Sequence, residues 1–91
     1  MTGRPFEIAW TAPARRALTR LPEKVATAAV ELSYGGLAEN PFRVGKPLKL
    51  ELEGTCSVRR GDYRVFYRID DNRHRVDILA IEHRSDAYRS R

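Results

Sequence analysis

Arg59 and Arg64 stand on either side of the dipeptide Gly61-Asp62, within a run of β-branched and aromatic residues from Cys56 to Ile69. That pattern predicts a β-hairpin closed by a tight primed turn. A two-residue turn pairs Arg60 with Tyr63, Arg59 with Arg64, Val58 with Val65 and Cys56 with Tyr67. Because side chains alternate across a strand, Cys56, Val58, Val65, Tyr67 and Ile69 share one face. Ser57, Arg59, Arg64, Phe66 and Arg68 share the other. Like charges directly opposite in a ladder destabilise it. Two guanidinium groups held side by side therefore point to an anion between them.

The next run, Arg75 to His83, extends the pattern. A turn around Asp71-Asn72 would set Val76, Ile78 and Ala80 on the apolar face and Asp77, Leu79, Ile81 and His83 on the Arg64 face. A loop longer by one residue would flip that third strand. In the first register, Arg59, Arg64 and His83 converge on one open side of a sheet whose other side is apolar.

The remaining elements must hold that sheet. Phe6, Ile8 and Trp10 alternate with Glu7 and Ala9, the pattern of a half-buried first strand. Thr11 suits an N-cap, with Pro13 in the first turn of the helix that follows. Ala14, Leu18 and Leu21 give that helix one apolar stripe, with Arg15, Arg16 and Arg20 off it as a solvated face. Pro22 suits the first position of a second helix, with Glu23 favourable at its positive end. Val25, Ala28, Ala29 and Leu32 form its apolar side, and Gly35-Gly36 would end it. Residues 37–47 read as a connection. Leu48 and Leu50 mark a short strand or edge segment, and His74 an exposed loop residue. The order β-α-α-β-β-β implies an α+β domain: a small antiparallel sheet with an N-terminal helical hairpin on one face. The covered face should carry Val58, Val65, Tyr67, Val76 and Ile78, leaving the arginine face open.

Composition bounds the function. Ninety-one residues suit one domain, 1–91, with a modest core. One cysteine cannot form an internal disulfide, so Cys56 reads as a small core hydrophobe in a reducing compartment. No apolar run is long enough to span a bilayer and no signal peptide is evident, so a cytoplasmic location without membrane contact is expected. Seventeen Lys+Arg against twelve Asp+Glu leave a net charge of +5. Only Lys24, Lys46 and Lys49 are lysines. Arginine excess favours phosphate or carboxylate partners, and a GC-rich coding bias would produce the same excess.

Thr11 to Leu18, Leu21-Pro22, Asn40-Pro41, Lys46 to Lys49, Gly61 to Arg68, and His83-Arg84 with Tyr88 together resemble the RelE/ParE toxin superfamily of bacterial type II toxin–antitoxin modules. The likeness runs through nearly the whole chain, in order, and is sharpest at Gly61 to Arg68. It implies the fold just described. In the RelE branch it implies cleavage of mRNA in the ribosomal A site, inhibition of translation, and a neutralising antitoxin of the RelB kind, acidic or amphipathic. It implies no metal and no organic cofactor.

Metal-free RNA cleavage has a 2′-hydroxyl attack the adjacent phosphate, which needs a base, a leaving-group acid and positive charge for the phosphorane. Arg64 is the first candidate to clamp the phosphate; its alternative is an ion pair with Asp77 or Glu82. Arg59 and Arg68 are further phosphate contacts, or simple surface arginines. Histidine titrates near neutrality, so His83 is a proton-transfer candidate. The resemblance adds Arg84 and Tyr88. Tyr88 would serve as a base with arginines stabilising its phenolate, stack on a nucleobase, or anchor the tail. Two departures stand out. The RelE branch has basic residues at i and i+2 before the hairpin turn, where this chain has Ser57 and Arg59. Glu82 occupies a place near the end of the last strand where a basic residue is expected, or that residue has moved to His83 or Arg84. A competing function is a ParE-like inhibitor that binds DNA gyrase and cleaves nothing. A third is an inactive relative that only binds its antitoxin.

Overall fold

The computed structural model describes residues 3–48 and 54–84. Strand β1 (Glu7–Trp10) leads into helices α1 (Ala12–Arg20) and α2 (Glu23–Leu32), then a short helix α3 (Pro41–Val44). Strands β2 (Lys46–Pro47), β3 (Thr55–Arg60), β4 (Tyr63–Asp70) and β5 (Arg75–His83) follow. They form one five-stranded sheet in the order β1-β5-β4-β3-β2. The sheet is antiparallel except that β1 runs parallel to β5. A parallel partner needs a long crossover, and the two helices with the strands after them supply it. The architecture is the α+β arrangement expected, with the first strand joining the later sheet.

Thr11 is the N-cap of α1, accepting from the Ala14 N–H at 3.4 Å, with proline in the first turn. The buried side of α1 is lined by Ala14 and Ala17, closed by Leu21. Small side chains let this helix lie close against β5. Arg15, Arg16 and Arg20 are exposed as expected, and Arg15 donates to the Trp10 carbonyl at 2.6 Å. Pro22 is the N-cap of α2, one place earlier than its expected position.

Gly35-Gly36 does not end the helical path. The chain widens into a π-helical turn over Ser33–Leu37. Fully buried Leu37 anchors that turn, and the Ser33 hydroxyl, also buried, donates to the Ala29 carbonyl at 2.8 Å. Burial of Leu37 outweighs the stop that two glycines would otherwise give. Leu48 lies past β2 and donates its N–H to the Thr55 carbonyl at 2.8 Å, while Leu50 lies outside the described residues.

The core sits between the helices and the face carrying Val58, Val65, Tyr67, Val76 and Ile78, all buried. Tyr67 is the largest side chain in it. Its hydroxyl donates to the Pro41 carbonyl at 2.7 Å, fastening α3 across the sheet. Gly45 makes this possible: a Cβ there would lie 2.3 Å from the Tyr67 hydroxyl and 2.6 Å from the Ser57 carbonyl. Cys56 is half-buried against the core, and burial raises its thiol pKa. His74 lies in the loop as expected but is half-buried, not exposed. Its ring stacks on Phe6 with centroids 3.9 Å apart, and its Nε2 lies 2.7 Å from the Arg4 carbonyl oxygen.

Candidate active site

The hairpin forms in the expected register: Arg60 faces Tyr63, Arg59 faces Arg64, Val58 faces Val65 and Cys56 faces Tyr67. Gly61 takes a positive φ of 54° while Asp62 does not, so the primed turn asks for glycine only at its first central position. Arg59 and Arg64 are exposed on the uncovered side. Neither forms an ion pair with another described residue. Asp77, one of the partners considered for Arg64, is instead held 2.8 Å from Arg75.

The third strand departs from its expected register halfway along. Tyr67 faces Ile78 but Phe66 faces Ala80, so Leu79 is an extra residue in a β-bulge. One inserted residue exchanges the two faces from that point on. Ile81 therefore turns into the core opposite Val65, and Ala80 joins Phe66 on the open side. Glu82, not His83, comes to stand opposite Arg64. His83 faces Tyr63, on the side of the sheet that carries the helices.

The bulge is held from outside the sheet. The Thr11 hydroxyl lies 2.8 Å from the Ile78 carbonyl and 3.1 Å from that of Leu79, and donates to this pair. The Thr11 N–H reaches Ile78 at 3.1 Å. One threonine thus caps α1 and pins the kink that decides which residue of β5 meets Arg64.

At the hairpin end, both faces open into one cavity of about 420 Å³. Arg59, Arg64, Glu82, His83 and Arg84 line it, together with the turn residues Gly61 and Asp62 and with Tyr63. Arg84 donates its N–H to the Asp62 carbonyl at 2.8 Å, and its guanidinium lies 3.7 Å from the Asp62 carboxylate. That exposed ion pair adds little stability, but the backbone bond fixes where β5 leaves the sheet. Tyr63 is half-buried; burial raises its phenol pKa, Arg60 works against the rise, and Glu31 on α2 adds to it.

Of the expected site residues, Arg59, Arg64, His83 and Arg84 are brought together. Arg68 stays on the open face opposite Asp77 and Thr55, away from the cavity. Tyr88 lies outside the described residues. Glu82, Tyr63 and Asp62 line the site without having been assigned to it. Asp62 and Tyr63 were legible as neighbours of the turn, whereas the position of Glu82 depends on the bulge. Among the described residues, no group of three or more His, Cys, Asp or Glu is placed to hold a metal ion.

The family model for the ParE toxin of the parDE type II toxin–antitoxin system matches residues 8–88. The chain is 58% identical to Toxin RelE of Mycobacterium tuberculosis over 85 residues, covering 93% of this chain and 88% of that one. It is 51% identical to Toxin RelG of the same organism, covering 93% and 98%. Among solved structures it resembles the toxin–antitoxin complex RelBE2 from M. tuberculosis, with a TM-score of 0.87 and 47% identity over 94% of this chain and 100% of that one. The isolated E. coli RelE toxin shares the fold at a TM-score of 0.71 and 15% identity, covering 91% and 90%.

Proposed function

Because the chain belongs to the ParE toxin family and is a RelE-family toxin of a type II toxin–antitoxin system, we propose that it is a ribosome-dependent mRNA endonuclease. The observation carrying this reading is the Arg59–Arg64 pair, two exposed guanidinium groups opposed across the hairpin, neither of them in an ion pair with a described carboxylate. Such a pair fits a phosphodiester, whose oxygens accept the forked bonds of arginine. In the reaction, Arg64 clamps the scissile phosphate and Arg59 adds charge for the phosphorane. His83 moves a proton at the leaving oxygen and Arg84 closes the turn side of the cavity. Arg68 guides the RNA strand along the open face, and Tyr88 stacks on a base or assists proton transfer. Guanidinium charge replaces a metal in this scheme.

Residues 1–91 act as one catalytic domain in the cytoplasm. A RelB-like antitoxin, acidic or amphipathic, covers the basic face. Copurification of such a protein with the toxin checks that part.

The test is to add the purified chain to a translating bacterial extract and map mRNA ends. Cuts within codons at the ribosomal A site are expected, and Arg64→Ala should reduce them at least ~100-fold, the scale of losing transition-state charge stabilisation. Intact mRNA with the native chain overturns the reading. The matching family is named for the ParE toxin, which keeps the gyrase-binding reading as its rival. A DNA-damage response on induction, with translation continuing, would favour that one.

A further inference from the structure

Two proton movements are required by the reaction above, and among the described residues only the one at the leaving oxygen has been given a residue. Arginine cannot accept a proton in a protein, so the arginines of the cavity are unsuited to the other. Four lining side chains remain: Asp62, Tyr63, Glu82 and His83. Asp62 is engaged with Arg84 at 3.7 Å. Burial raises the Tyr63 phenol above its ordinary value, further from the range that suits a base near neutrality. Glu82 alone combines the chemistry with the position. It is exposed, stands directly opposite Arg64 on the same face, and is brought there by the Leu79 bulge. No described cation forms an ion pair with it.

A carboxylate among guanidinium groups at a phosphate site weakens the attraction for RNA. Opposite Arg64 it offsets like charge across the ladder, and it is also the exposed proton acceptor on the phosphate face. We propose that Glu82 is the general base of this site, an inference that rests on the endonuclease reading. A Glu82 carboxylate oxygen takes the proton of the 2′-hydroxyl as the bond from O2′ to phosphorus forms. The bond from phosphorus to O5′ breaks, its electron pair going to the leaving oxygen, which takes a proton from a ring nitrogen of His83. One proton enters Glu82, one leaves His83, and the products are a 2′,3′-cyclic phosphate and a 5′-hydroxyl.

Single-turnover cleavage of mRNA on purified bacterial ribosomes tests this, with ribosome co-sedimentation and thermal melting measured for every variant. Glu82→Gln should cut at least ~100-fold more slowly, the usual range for removing a general base. It should bind ribosomes as well as the native chain or better, and Glu82→Asp should recover part of the rate. Charge placement alone predicts the opposite sign, because neutralising a carboxylate beside a phosphate site helps RNA bind. E82Q cutting at the native rate or faster overturns the proposal, as does a loss of cleavage matched by a loss of ribosome binding or of melting temperature. If Arg64→Ala is inactive while E82Q is fully active, only the assignment of Glu82 fails. If the native chain cuts no ribosomal mRNA, the endonuclease reading fails and takes this inference with it.

Discussion

Arg64 differs from the other arginines in having a second guanidinium, Arg59, as its ladder partner and Glu82 on its other side. Geometry at this position matters as much as charge. Arg64→Lys keeps the charge but loses the planar fork. Single-turnover cleavage should fall by about tenfold, roughly one charge-assisted hydrogen bond, with the salt dependence of ribosome binding little changed. At this scale the sequence was a good guide to Arg59 and Arg64, because the Gly61-Asp62 turn sets a short-range register. It was a poor guide to Glu82 and His83. Their faces depend on a single extra residue at Leu79, and nothing in Asp77 to Ala80 marks where the strand kinks. The sequence around His74 reads as exposed for a related reason: its stacking partner Phe6 is distant in sequence and invisible to local pattern.

Thr11 couples two elements, the start of α1 and the bulged segment of β5. Its hydroxyl accepts from Ala14 and donates to the bulge carbonyls, so Thr11→Val removes a cap and a strand anchor together. A loss of about 1–2 kcal/mol is expected from the cap alone, read as a lower urea midpoint. Thr11→Ser should restore most of it. The N-cap itself was legible from Thr11 and Pro13, since capping is local chemistry. The π-helical turn over Ser33–Leu37 was not. Gly35-Gly36 is a reliable stop only when no buried side chain lies beyond it, and Leu37 does.

The molecule as a whole is tied together at Tyr67, which bridges the sheet to α3 through Pro41. Burial pushes its phenol up to about 12, above the unfolded value near 10. The folded state thus binds the proton more tightly than the unfolded chain. That contribution is intact below about pH 10 and is lost as pH rises towards 12, on the order of 2 kcal/mol in all. Tyr67→Phe should be less stable near neutrality by about 1 kcal/mol, because the Pro41 carbonyl loses its donor. It should lack this part of the alkaline decline. Urea midpoints at pH 8 and pH 11 for both proteins check the two signs together.

The parallel pairing of Glu7–Trp10 with Arg75–Ile78 joins an early strand to one synthesised long after it. Contacts so distant along the chain form late and slowly. During synthesis, β1 has no slot in the sheet until β5 has cleared the exit tunnel, and the cavity at the far end of β5 is unbuilt for the same interval. The cavity is thus among the last parts of the fold to be completed, and a truncation that removes β5 would cost β1 its place as well as the site.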